Sequence, residues 1–164
     1  MEKLHLNNEV SLSRIVQGLW RLTSWNMSTQ EVVDFVHQCI ELGVTSFDTA
    51  EIYGNYEAEA KFGEALKLDP SLRSKIQIIT KTGINMKSVK RDYRIGHYDT
   101  SYDKIIASCK KSIDLMHCEY LDVFLIHRED PLINHEEVAR ALNDLKTMGL
   151  IKSYDWVQDC NCNG

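Results

Sequence analysis

Four side chains spread through the chain could together handle a proton at a polarised oxygen: Asp48, Tyr53, Lys81 and His127. A phenol in water titrates near pH ~10, so Tyr53 donates a proton readily at neutral pH only where a nearby cation stabilises its phenolate. Lys81 is a natural source of that cation, and Asp48 can pair with the lysine and fix it. His127 can hydrogen-bond a substrate carbonyl and place it against the acid. Taken singly, each has an ordinary explanation: Asp48 as a turn cap, Tyr53 as a packing residue, Lys81 as a strand-end charge, His127 as a satisfied histidine. Four polar residues at the same end of three consecutive predicted strands serve no shared packing purpose.

The elements that must position them follow from the hydrophobic pattern. Residues 3–12 are expected to form a small hairpin around Asn7 and Asn8, and RIVQGLW (Arg14–Trp20) reads as a first core strand. Ser28 with Glu31 has capping-box spacing before a helix whose apolar stripe is Val32, Val36, Cys39 and Ile40, closed by Gly43. VTSFD (Val44–Asp48) is the second strand, followed by a helix from about Asn55 to Leu66. KIQIIT (Lys75–Thr80) has the apolar, β-branched character of a strand covered on both faces, with Lys81 at its end. A third helix from near Ser101 feeds the strand LDVFLIH (Leu121–His127). Asn134 and Glu137 repeat the capping pattern before a fourth helix stopped by Gly149, and Leu150–Tyr154 is a fifth strand. Crossovers of this length favour parallel strands with helices outside and the strand C-termini gathered at one face. The irregular stretch 82–100 carries Lys87, Lys90, Arg91 and Arg94 beside that face, as a lid or binding loop would.

The chain has 164 residues and a formal net charge of −5. Residues 1–164 read as one domain. The charge offers no basic field for a phosphate backbone, so nucleic acid is not an expected partner. The N-terminus lacks the apolar run of a signal peptide and no stretch is long enough to cross a bilayer, so the cytoplasm is the expected location. Cys39, Cys109 and Cys118 fall in helical patterns as small buried apolar groups. Cys160 and Cys162 form a lone CNC with no second pair to complete a zinc set, and no metal site is expected.

The segment FDTAEIYGNYEAEAKFGEAL resembles the signature region of the aldo-keto reductase family, and IITKTG and LDVFLIHREDP resemble its lysine and histidine segments in the same order and spacing. The resemblance runs from about Leu4 to Tyr154 and is strongest to the bacterial YdhF-type oxidoreductase branch. It implies a partial (β/α)8 TIM barrel of about four βα units plus a fifth strand, an α/β fold. It also implies that Tyr53 is the general acid, that Lys81 tunes it, that Asp48 supports the lysine and that His127 orients the carbonyl. NADP(H) is the implied cofactor, its hydride reducing an aldehyde or ketone to an alcohol. Gly18, Leu19 and Trp20 match the first βα loop, where the family contacts cofactor or substrate, and Asp48 matches a position beside the nicotinamide. Trp20, Trp25 and Tyr53 suggest a pocket suited to an apolar or aromatic substrate part.

In place of a GVSNF-like segment after the fifth strand the chain reads SYDWVQDCNCNG, as in a truncated domain, one with an altered reading frame or one with a divergent terminus. A complete eight-unit barrel typically needs roughly 250 residues. The expected cofactor and small carbonyl substrate therefore stand beside two alternatives. One is a catalytically inactive half barrel that binds a protein, or another copy of itself, through exposed sheet edges. The other is a degenerate fragment.

Overall fold

The computed structural model describes residues 2–128 and 130–157, so Cys160 and Cys162 lie outside the described residues. The chain opens with an antiparallel hairpin, β1 (Lys3–His5) against β2 (Ser11–Ser13). Its turn is tied by Asn7, whose Oδ1 accepts from the N–H groups of Glu9 and Val10, both at 2.8 Å. Then follow β3 (Val16–Gly18), α1 (Thr29–Glu41), β4 (Ser46–Asp48), α2 (Ala58–Leu68) and β5 (Gln77–Thr82). A short pair, β6 (Ile84–Asn85) and β7 (His97–Tyr98), leads to α3 (Tyr102–Leu115), β8 (Leu121–Ile126), α4 (His135–Thr147) and β9 (Ile151–Trp156).

Both sequence-read caps are present. The Ser28 hydroxyl accepts from the Glu31 N–H while the Glu31 carboxylate accepts from the Ser28 N–H at 2.7 Å. Asn134 Oδ1 accepts from the Glu137 N–H at 3.2 Å. Each satisfies backbone donors that a helix start leaves unpaired.

The strands β3, β4, β5, β8 and β9 lie side by side in that order, all parallel. Alternation along each strand divides the side chains. Phe47, Ile78 and Phe124 are fully buried on the helix side, where Phe47 stacks on Phe62 of α2 at 5.6 Å. Ile79 and Val123 face the other way and bury against Val10 of the hairpin, with Leu12 and Leu125 alongside. The hairpin thus covers the lower part of the inner face, leaving the C-terminal strand ends open for chemistry.

Three boundaries depart from expectation. The helix placed from Asn55 starts at Ala58, because Gly54, Asn55 and Tyr56 all have positive φ (58°, 58° and 68°). Gly54 cannot be replaced cheaply there, since an added Cβ would lie 2.5 Å from the Thr23 side chain. The third core strand runs to Thr82, so Lys81 lies inside it, with Lys81 opposite Leu125 and Thr82 opposite Ile126. The stretch 82–100 is partly ordered by the β6–β7 pair rather than irregular throughout.

Two outcomes are expected. A Cβ at Gly63 in α2 would meet the Leu115 carbonyl oxygen of α3 at 1.9 Å. Gly63→Ala should therefore destabilise the chain by about 1–3 kcal/mol, read as a lower denaturation midpoint; an unchanged midpoint would mean that α2 and α3 can separate freely. Among the described residues, β3 and β9 each have one neighbouring strand, which leaves a row of backbone groups at either edge. Self-association is expected in sedimentation velocity, and a clean monomer that binds no apolar dye would contradict it.

Candidate active site

Lys81 is the centre of the site. Its side chain is only 7% exposed, and its ammonium donates to the Asp48 carboxylate at 2.6 Å, the Thr49 carbonyl at 2.8 Å and the Tyr53 Oη at 3.2 Å. An ammonium has three N–H donors, and all three are used. The register explains the first contact: Asp48 pairs with Ile79 across the β4–β5 ladder, and Lys81 lies two residues further along the same face. Burying the cation is costly unless it is paired, and the Asp48 carboxylate beside it supplies the charge.

Tyr53 reaches the lysine through a turn hung on β5. The N–H of Thr49 donates to Ile79 O at 2.8 Å, that of Glu51 to Lys81 O at 3.0 Å, and that of Tyr53 to Ala50 O at 3.0 Å. Tyr53 Oη accepts from Lys81, and among the described residues its own hydroxyl proton meets no acceptor. The His127 ring meets the Tyr53 ring edge-on at 5.6 Å, and the Trp20 ring lies 6.4 Å away on another side. His127 is held by its N–H, which donates to Thr82 O at 2.8 Å. Burial, followed by the nearby charges of Lys81 and Arg128, pushes its imidazole down to about 4 from an ordinary 6.5. It is neutral at pH 7 and can donate one N–H without adding a second cation beside Lys81.

These residues border a cleft of about 600 Å³ lined by Trp20, Tyr53, Ile84, Met86, His127 and Arg128, among others. The loop after β5 thus lies beside the site, and Tyr56 holds it there. Its Oη accepts from the Met86 N–H at 2.6 Å and donates to the Met86 carbonyl at 3.1 Å. Two of the loop cations have protein partners: Lys90 pairs with Glu57, and the Arg91 guanidinium lies 4.5 Å from the Tyr56 ring centre.

The structure brings Asp48, Tyr53, Lys81 and His127 together, as their spacing implies. Gly18 and Trp20 are exposed near them, whereas the Leu19 side chain is fully buried in the helix-side core. The peptide groups of Leu19 bond to Asp48 O and Leu22 N–H, so Leu19 shapes the turn between its two exposed neighbours. Trp25 corrects a sequence expectation. It packs edge-on against Phe35 of α1 at 5.4 Å and lines no part of the cleft, because the 3-10 turn Leu22–Ser24 carries it back to the helix layer. Cys39 and Cys109 are buried, and burial pushes the Cys109 thiol up to about 12, consistent with a packing role. Residues missed from sequence are Ile84 and Met86, which line the cleft, and Glu51, which anchors the Tyr53 turn from behind. Glu51 left one signal: a second carboxylate three residues after Asp48, between the apolar Ala50 and Ile52.

The fold and this geometry define a class, and the pattern of the Aldo/keto reductase family matches residues 14–155. The chain belongs to the aldo/keto reductase family of oxidoreductases. It is 42% identical over 155 residues to the uncharacterized oxidoreductase YcsN of Bacillus subtilis, covering 94% of this chain and 52% of that protein. It is 45% identical over 142 residues to the oxidoreductase YdhF of Escherichia coli, covering 87% of this chain and 47% of YdhF. The chain thus spans about half the length of the curated relatives it matches. The same proportion holds for the holo form of aldo-keto reductase AKR11C1 from Bacillus halodurans. That structure superposes with a TM-score of 0.79 at 24% identity over 95% of this chain and 50% of its own, and it establishes the fold as part of a TIM barrel. Among the described residues, no helix is long and apolar enough to cross a membrane.

His127 provides a direct check on the electrostatics. Its folded value lies below the unfolded one, so on acidification the unfolded chain takes the proton first. The resulting stability is complete above about pH 6.5 and is lost as the pH falls towards 4. An NMR titration should place the imidazole midpoint near 4, and a midpoint at or above 6.5 would show that Lys81 and burial do not act on this ring.

Proposed function

We propose that this chain carries the proton-delivering part of an NADPH-dependent aldo-keto reductase that converts an aldehyde or ketone to an alcohol. The observation that carries this reading is the chain of contacts from Asp48 to Lys81 to the Tyr53 Oη, at 2.6 and 3.2 Å, beside an open cleft. In this reading a carbonyl oxygen lies between Tyr53 and His127 and accepts hydrogen bonds from both. NADPH, when bound, supplies the hydride that reduces the carbonyl carbon. As negative charge grows on the oxygen, Tyr53 gives up its hydroxyl proton, and the resulting phenolate is stabilised by the Lys81 ammonium. Lys81 donates to Oη rather than accepting from it, so the hydroxyl proton is left for the substrate. Water returns the proton to Tyr53 when the alcohol leaves.

The residues present suit the nicotinamide end of that cofactor. A Cβ at Gly18 would meet nothing within 4 Å, leaving room for a flat ring to approach the strand end. The Asp48 side chain is 26% exposed beside it. Gly18, Trp20 and Asp48 are the residues proposed to contact the ring, with Leu19 shaping the turn between the first two. The Trp20 indole is the proposed apolar wall for the substrate.

The test is a titration with NADPH, followed by nicotinamide fluorescence and calorimetry, and then a carbonyl reduction assay. Saturable binding and reduction are expected, with Tyr53→Phe lowering the rate about 100-fold or more while leaving the fold and cofactor binding intact. An unchanged rate in Tyr53→Phe would remove Tyr53 as the acid. A folded chain that binds no NADPH would favour the inactive half barrel.

A further inference from the structure

We propose that Glu51 is a positioning residue for Tyr53: a buried carboxylate that clamps the Tyr53 turn to the outer face of β5 and so sets the distance from Oη to Lys81. The proposal rests on the reductase reading for its catalytic consequence, but its structural content stands on contacts within the chain.

Glu51 lies on the opposite face of β5 from the cleft, 7% exposed. One carboxylate oxygen accepts from the Thr82 hydroxyl at 3.0 Å and the Ser108 hydroxyl at 3.1 Å. The Lys104 ammonium donates to both oxygens, at 2.9 and 3.0 Å. Thr82 is the strand residue next to Lys81 and points the other way, while Lys104 and Ser108 lie one turn apart on α3. The same residue's N–H donates to the Lys81 carbonyl. Glu51 is therefore tied by its backbone to Lys81, by its side chain to the neighbour of Lys81, and by charge to α3.

Between Asp48 and Tyr53 this is the side chain that can hold the turn. Ala50 and Ile52 have no polar side-chain atom, and Thr49 Oγ1 is buried with no hydrogen-bond partner among the described residues. Among the described residues, the side-chain hydrogen bond of Tyr53 is the one it accepts from Lys81, so the path of the turn fixes where its hydroxyl lies. A buried carboxylate is a costly way to fill space and is expected where direction matters. Misplacement of a reacting group by about 1 Å can cost about 100-fold in rate.

The test uses two variants, Glu51→Ala and Thr82→Val, and two readouts. The first is the 13Cζ resonance of Tyr53 in the cofactor-free chain, assigned by its loss in Tyr53→Phe, which reports the hydrogen bond from Lys81 without any turnover. The second is the split of kcat and KM in carbonyl reduction. The expected result is a displaced Tyr53 resonance in both variants, at unchanged circular dichroism, with kcat falling about tenfold or more and KM changing less than twofold. A wild-type Tyr53 resonance in folded Glu51→Ala and Thr82→Val overturns the proposal. Should Glu51→Ala fail to fold, Thr82→Val decides alone, a displaced resonance supporting the clamp and an unmoved one removing it. An inactive wild-type chain would count against the reductase reading only, and the resonance would still decide the role of Glu51.

Discussion

A single buried ammonium organises this chain. Lys81 has three N–H donors and meets one acceptor from each of Asp48, Thr49 and Tyr53, so the positions of a strand end, a peptide carbonyl and a phenol are fixed by one atom. The cation is tolerable out of water only because Asp48 accompanies it, and Asp48 is in reach only because β4 and β5 pair in the observed register. A shift of that register by one residue would turn Lys81 to the helix side and bring Thr80 or Thr82 to the cleft. The hydrophobic packing of Phe47, Ile78 and Phe124 on the other face therefore also selects the chemistry, since it determines which residues face inward.

Strand β5 is polar on both faces near its end, which is unusual for a central strand. Inward it presents Lys81. Outward, Thr80 donates to Glu59 at 2.6 Å and Thr82 donates to Glu51 at 3.0 Å. The two outer carboxyls have opposite settings. Glu51 is neutralised by Lys104, whereas burial raises Glu59 above the ordinary carboxylate range, with the Glu51 charge adding to the effect. Desolvation works against the ionised form of Glu59, and its hydrogen bond with Thr80 works the other way. The layer between sheet and helices is thus both a hydrophobic core and a scaffold of directed bonds beneath the cleft.

Much of this was legible because the signals are local. Capping pairs at Ser28 and Glu31 and at Asn134 and Glu137, apolar helix stripes and β-branched strand runs specify elements without long-range information, and the parallel order follows from crossover length. Asp48, Tyr53, Lys81 and His127 were identifiable because polar residues at strand ends stand out against apolar runs. What was hidden depends on backbone paths that composition does not encode. Three consecutive positive φ values at Gly54, Asn55 and Tyr56 delay the helix, and a 3-10 turn carries Trp25 away from the cleft. The Glu51 clamp was hidden for a related reason: its partners, Thr82, Lys104 and Ser108, come from two other elements and become neighbours only after the sheet and α3 are in place.

The pairing of a charged Lys81 with a neutral His127 gives the site its direction. Two cations flanking one phenol would repel each other and would both stabilise its phenolate, which in the proposed mechanism would leave little distinction between the group that tunes the acid and the group that orients the substrate. Burial keeps His127 uncharged, and Lys81 itself adds to that effect. The lysine therefore acts twice, by donating to Oη and by keeping protons off the imidazole. A neutral ring can donate one N–H to a carbonyl oxygen, leaving the ammonium beside Tyr53 as the positive charge that stabilises the phenolate. Removing the Lys81 charge would take the cation from Tyr53 while burial, the larger cause, still held His127 below its ordinary value, so in the proposed mechanism a substitution at Lys81 acts first on the tyrosine.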